Sequence, residues 1–315
     1  MRFFISSNIK NNAPLYVSVL LFLLFSLTYW VSGWFYYGYK FGLTYGSMFS
    51  YFFTDPQFPE RLPLGKLLED IHVQLFLYVI FLLVLSSLFL HKCMRDKVKL
   101  ALVSVSFLSG IGEVLSGFAV YFFGPLFIYP KLFLFYLFQV STGSMLALTL
   151  KLYASREKEK PPERGILYSL VFIFALSTIL FTALNFFLFA NKLGLTPASI
   201  TQYYLGNPER FIRPKSFMGI MEVFGPHTVA MGVYLIGLVH FSFFTNVKRK
   251  VLLSVSVLSL AFIDNLSSLL IRFFSPHFSI VKLLSFLGLS SLMVYISVLV
   301  MVSIIRHRAK TMLLI

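Results

Sequence analysis

The chain has 315 residues, 58% of them hydrophobic and only 12% charged, with a mean hydropathy of +0.82. A soluble domain carries about 25% charged residues, so a soluble globular fold is excluded and an all-α, polytopic membrane protein is predicted. The net charge of +15 does not point to nucleic acid, because the basic residues fall between apolar runs rather than in a readout patch.

Eight apolar runs are long enough to cross a bilayer, which takes about 20 residues each. They lie at 14–37, 71–90, 100–123, 131–150, 166–190, 227–245, 251–274 and 280–305. The first follows Arg2 and Lys10 and has the look of a signal peptide. No small-x-small cleavage pattern follows it, only Gly33-Trp34-Phe35-Tyr36, so an uncleaved first helix is expected. Its end carries Tyr29, Trp30, Trp34, Tyr36, Tyr37 and Tyr39, the composition of an interfacial aromatic belt.

Placing both termini in the cytoplasm assigns 17 of the 27 Lys and Arg residues to inner segments, as the positive-inside rule requires. A bacterial-type cytoplasmic (inner) membrane location follows from that reading. The single cysteine, Cys93, sits in a basic inner loop and excludes an intramolecular disulfide or any cysteine-based metal site.

The chain is also a tandem duplication. KFGLTYGSMFSYFFTDP at 40–56 lies on KLGLTPASITQYYLGNP at 192–208 with seven identities in 17 positions. Glu113 to Leu132 lies on Asp264 to Leu283, matching at Leu115, Ser116, Phe122, Phe123, Pro125, Phe127, Lys131 and Leu132. Chance similarity of apolar helices would repeat Leu and Phe, but not paired Lys, Pro, Tyr and acid positions. The expectation is two parallel four-helix repeats, 1–154 and 166–315, joined by the charged, Pro-broken cytoplasmic linker 155–165.

Each long outer connection opens on Gly-Leu-Thr. Thr44 and Thr196 are placed to N-cap a short helix that Asp55-Pro56 and Asn207-Pro208 would end. Such a helix serves either as a lid over the bundle or as a structured connector. The run GLTPASITQYYLGNPERFIRPKSFMGIMEVFGPHTVAMG, with Asp264-Asn265, resembles a group of bacterial multi-span inner-membrane proteins of unassigned function sharing a GLTPxxIxxYYxGNPE-type outer segment. The resemblance covers the second repeat best. It implies a four- or eight-span helical fold and no known reaction. Members often carry a second histidine two places before the one matching His227; here that place is Gly225, which counts against a metal site built on such a pair.

The chemistry-bearing candidates are few. Glu113 and Asp264 each sit mid-span between small residues, Gly110 and Gly117 in one case and Ala261 and Ser268 in the other, so a second helix can approach closely. An acid at bilayer depth costs several kcal/mol and is a functional-site hypothesis by default. It serves either as a proton relay or polar ligand contact, or as a neutral acid donating one structural hydrogen bond. Lys131 and Lys282 open their spans and either snorkel outward or turn in toward an acid.

His72 and His227 open the second and sixth spans, preceded by Glu69 and Glu222, and two equivalent imidazoles at one depth could hold a haem b. The ordinary alternative is an interfacial histidine bonded to a loop. His227 and His240 are 13 apart, but His72 and His91 are 19 apart and His240 has no partner in the first repeat, so a two-haem ladder is rejected; His277 is unmatched too, a loop residue or an asymmetric ligand. No P-loop, Rossmann glycine pattern, HExxH, CxxC or GxSxG appears. The leading expectation is an electron-transfer subunit binding haem or quinone near the outer face and working with an outer-side electron-transfer protein. A proton-coupled carrier or channel and a non-catalytic membrane anchor or assembly factor are the alternatives.

Overall fold

The computed structural model describes residues 9–11, 13–54, 60–155, 158–160, 164–243, 245 and 249–312. The chain divides into two compact units, Met1–Leu170 and Val171–Ile315. The first holds α1 (Ala13–Lys40), α2 (Tyr45–Phe52), α3 (Leu64–Phe89), α4 (Asp96–Phe123) and α5 (Ile128–Ala154). The second holds most of α6 (Arg164–Lys192), then α7 (Pro197–Leu205), α8 (Phe217–Ser242), α9 (Lys250–Phe273) and α10 (Phe278–Met312). Among the described residues there is no strand, only the isolated bridges Phe53–Arg61 and Asn207–Ile212. The fold is all-α, with eight helices long and apolar enough to cross a bilayer and the same order of elements in each unit.

Two spans start well before their apolar runs. α3 begins at Leu64 and α8 at Phe217, because the polar residues of their first turns, Lys66, Glu69 and Asp70 in one and Glu222 in the other, lower hydropathy without opposing helix. α8 also runs through Pro226, whose ring nitrogen cannot donate to the carbonyl of Glu222.

The Gly-Leu-Thr motif is a complete turn device. α1 ends at Lys40 and Gly42 takes φ +84°; α6 ends at Lys192 and Gly194 takes φ +76°. Glycine tolerates that region, and here it is also sterically required. A Cβ on Gly42 would stand 2.0 Å from Ser47 Oγ, and one on Gly194 2.3 Å from Ser199 Oγ. Those serines complete capping boxes with Thr44 and Thr196, each threonine oxygen accepting from the serine N–H and each serine oxygen from the threonine N–H.

The short helices are anchored to the units that carry them. Met48 and Phe52 of α2 are buried, as are Ile200 and Tyr204 of α7, which lies against α9 and α10. Their ends differ from expectation. α7 stops at Gly206, with φ +80°, rather than at Asn207-Pro208, which instead opens a tight turn. α2 ends at Phe52, and Asp55-Pro56 lies outside the described residues.

In the first unit α4 packs between α3 and α5. The small residues around Glu113 make those approaches close, since a Cβ on Gly110 would meet the Phe138 ring at 2.9 Å. Two of the expected belt residues also pack against α5. Trp30 donates its indole N–H to the Gln139 carbonyl at 3.0 Å, and Trp34 meets Phe135 edge-on at 5.3 Å between ring centres.

Opposite the Gly-Leu-Thr end, the Glu159 carboxylate accepts from the backbone N–H groups of Ile9 and Lys10, both at 2.8 Å. Lys160 N–H donates to the His91 carbonyl at 2.9 Å there. The remainder of the expected linker, 156–157 and 161–163, lies outside the described residues.

Candidate functional site: duplicated lysine–carboxylate latches

Glu113 lies wholly buried in α4. One of its oxygens, Oε1, accepts from Lys131 Nζ of α5 at 2.5 Å and from the Tyr37 hydroxyl of α1 at 2.9 Å. The same ammonium donates to the Glu113 backbone carbonyl at 3.0 Å, and Ser116 Oγ donates to that carbonyl at 2.5 Å. The other carboxylate oxygen, Oε2, is buried with no hydrogen-bond partner.

The second unit repeats the lysine and serine contacts. Lys282 Nζ of α10 donates to Asp264 Oδ2 at 3.0 Å and to the Asp264 carbonyl at 2.9 Å. Ser267 Oγ donates to the same carbonyl at 2.6 Å. Oδ1 of Asp264 is buried without a partner. The lysines therefore turn inward, and the outward snorkelling weighed for them does not occur. The reason is local: each ammonium finds two acceptors on one residue across a helical hairpin, and desolvating it is offset by a carboxylate and a carbonyl together.

The two latches differ in their surroundings. Tyr37 stacks on Phe135 with ring centres 3.6 Å apart, and Phe189 stacks on Phe286 at 3.8 Å in the corresponding place. Phe189 has no hydroxyl, so Asp264 lacks the third donor that Glu113 has. Asp264 is also less enclosed, with 14% of its side chain exposed against none for Glu113. Near it, Tyr204 exchanges a hydrogen bond with Ser268 at 2.9 Å, and burial raises the Tyr204 hydroxyl above its ordinary pKa.

A second lysine–carboxylate pair lies in the first unit. Asp70, 6% exposed, accepts from Lys40 Nζ of α1 at 2.5 Å and from the Tyr51 hydroxyl of α2. Burial first, and then that bond to Asp70, push the Tyr51 hydroxyl well above its ordinary value. The Phe41 ring lies between the two lysines, 5.1 Å from Lys40 Nζ and 5.7 Å from Lys131 Nζ. Both are cation–π distances.

The remaining sequence candidates fall elsewhere. Glu69 is partly exposed and stands 3.8 Å from Lys66, and Glu222 is exposed on α8. Within the first unit Glu113 and Glu69 have different partners, and within the second Asp264 is paired with Lys282 while Glu222 is exposed. Asp70 is the residue that sequence reasoning missed. The buried stripe of α3 runs through Leu67, Ile71, Gln74, Leu75, Tyr78 and Leu82, and Asp70 is on it while Glu69 is off it.

His72 is buried on α3, and His227 is half-buried on α8, where it feels the charges of Lys282 and Asp264. The helices refine their register. α3 and α8 each have 26 residues, and aligning Leu64 with Phe217 carries Glu69 onto Glu222. That alignment puts His72 on Gly225 and Gln74 on His227, so the two histidines are not equivalent positions. Among the described residues no group of three or more His, Cys, Asp or Glu could hold a metal ion.

Eight helices long and apolar enough to cross a membrane, two of them carrying a buried acid paired with a lysine, define an integral membrane protein of the multi-span helical class. The chain belongs to the Aq_1264_TM family, a transmembrane helical domain, which matches residues 42–161 and again residues 194–311. Each match opens on the positive-φ glycine of the Gly-Leu-Thr turn, Gly42 or Gly194, and contains one latch. No curated protein and no solved structure matches the chain.

Proposed function

We propose that this protein is a proton-coupled membrane carrier in which Glu113 and Asp264 hold the coupling proton. One observation carries the reading: in both units the acid gives one oxygen to lysine and leaves the other buried and unbonded. A buried acceptor without a donor costs about 1–3 kcal/mol, and more on a charged group. A packing device would be expected to satisfy both oxygens. A proton on the vacant oxygen neutralises the carboxylate and loosens its hold on the ammonium, which keeps the backbone carbonyl as acceptor. Proton binding is thereby coupled to the α4–α5 and α9–α10 hairpins.

Electron transfer through a haem on His72 and His227, or through quinone, is the weaker fit, because the helix register sets the two imidazoles at unmatched positions. The same holds for an outer-side electron-transfer partner, which no feature of the two units favours.

The test is infrared difference spectroscopy of the purified protein in lipid, stepped across roughly pH 5 to 8. A protonated-carboxyl band that grows on acidification is expected, diminished by Glu113→Gln and by Asp264→Asn in variants that still fold. A spectrum in which neither substitution removes such a band would defeat the proposal. A Soret band in the wild type, lost in His72→Ala and His227→Ala, would put the electron-transfer reading in its place.

A further inference from the structure

Between α7 and α8 the chain makes a closed hairpin, residues 206–215. Asn207 N–H donates to the Ile212 carbonyl at 2.9 Å and Ile212 N–H to the Asn207 carbonyl at 3.0 Å. Phe211 N–H donates to the Pro208 carbonyl at 3.1 Å, and Asn207 Oδ1 accepts from Glu209 N–H at 2.9 Å. The base is held by Lys215 N–H on the Tyr204 carbonyl at 3.0 Å and by Arg272 Nε of α9 on the Lys215 carbonyl at 2.7 Å.

To return Ile212 to Asn207 the chain must pass through the left-handed region, and the residue that does so is Phe211, at φ +55°. Glycine or asparagine enters that region far more readily than a bulky aromatic residue does. Strain of this kind persists only where the surrounding structure imposes it. Here the hydrogen bonds of the hairpin impose it, while the ring itself is 94% exposed. The side chain is thus presented outward from a backbone the hairpin holds fixed.

What surrounds it in sequence and at the adjoining helix ends names the occupant. Ile212, Phe217, Met218, Phe273 and Phe274 are all exposed, and Phe217 opens the membrane-crossing helix α8. Among them stand Arg213, Lys215 and Arg272, with Glu209 as the exposed acid of the hairpin. Rings beside basic side chains at the end of a span suit the boundary between headgroups and acyl chains. We infer that the 206–215 hairpin is a bilayer anchor: Phe211 and Ile212 enter that boundary, and Arg213 and Lys215 bind the phosphates of anionic lipid. The inference is independent of the proton reading.

The test places a nitroxide at position 211, as Phe211→Cys with Cys93→Ser, in nanodiscs of phosphatidylcholine alone or with phosphatidylglycerol. Collision rates with oxygen and with a water-soluble nickel chelate then report depth. The expected label is open to oxygen and closed to the chelate, lies deeper with phosphatidylglycerol, and loses that gain in Arg213→Gln/Lys215→Gln. A label freely open to the chelate in both lipids overturns the anchor and assigns the ring to a partner in the aqueous phase. A depth indifferent both to phosphatidylglycerol and to the basic substitutions overturns the headgroup assignment. In detergent, Phe211→Asn raises the melting temperature, since it relieves the backbone without losing an internal contact; a fall would mean that the ring packs within the chain after all.

Discussion

At the scale of single residues the latches are governed by desolvation. Lys131 and Glu113 are almost fully withdrawn from solvent, so removing one charge strands the other. Such a break costs about 3–5 kcal/mol, whereas replacing both partners by uncharged residues of similar volume is often neutral or stabilising. Lys131→Met alone is therefore expected to lower stability by about that amount, and Glu113→Gln/Lys131→Met to restore most of it, as read by thermal unfolding in detergent. Lys282→Met should cost less, because its partner Asp264 is less enclosed by the chain than Glu113, with 14% of its side chain exposed against none. Equal losses at the two sites would mean that the difference in burial is without energetic weight. Whichever way the proton measurement falls, this comparison isolates what the pairs do for the fold.

At the scale of elements, the recurring unit is a turn plus the helices it orients. The motif Gly-Leu-Thr-x-x-Ser sets the exit from α1 or α6 and the entry to α2 or α7, and each family match begins there. Gly194→Ala would force a Cβ into Ser199 Oγ and a left-handed conformation on an L side chain at once. The serine would have to leave its capping box, itself worth about 0.5–2 kcal/mol, and the backbone strain adds about 1–2 kcal/mol. A drop in stability of a few kcal/mol is expected, against none or a slight gain for Gly232→Ala inside α8, where a Cβ would meet nothing within 4 Å and alanine is the better helix former. Parity between the two variants would show that the turn is not a determinant of folding. The divergence between the units is also carried by elements: Asp70 ties α2 to α1 and α3 through Tyr51 and Lys40, while Tyr204 ties α7 to α9 through Ser268.

At the scale of the whole molecule, two behaviours follow from charge. His91 sits outside the spans, with Nδ1 against the Ser87 carbonyl at 3.0 Å. Burial lowers its pKa below the usual 6.5, Lys99 adds to the lowering, and Ser87 and Glu159 oppose it. The unfolded chain then binds the proton more readily than the folded one. Stability is thus present in full above about pH 6.5 and is lost as the pH falls below it toward the folded pKa. His91→Gln should flatten that part of the profile in a melting series; an unchanged slope would move the pH dependence to other groups. The second behaviour is orientation. With 17 of 27 basic residues assigned to one side, a reporter fused after Lys158 should be active only in the cytoplasm and one inserted near Asn207 only outside. The reverse pattern would mean that the Lys and Arg distribution does not set the topology.

The sequence by itself determined the class, the eight spans and the duplication, since hydropathy and period are local properties and a span needs only length and apolarity to be recognised. It also carried the turn device, because Gly, Thr and Ser act on each other within six residues of chain. Only the tertiary structure decided which acids are charged partners and which are surface. Glu69 and Asp70 are neighbours, yet a step of one residue turns a side chain about 100° around the helix, and packing of α1 and α2 on α3 selects Asp70. The inward turn of Lys131 and Lys282 was equally out of reach of sequence. Snorkelling and pairing begin from the same residue at the same span boundary, and the choice between them depends on whether a hairpin brings an acid and its carbonyl within reach of the ammonium.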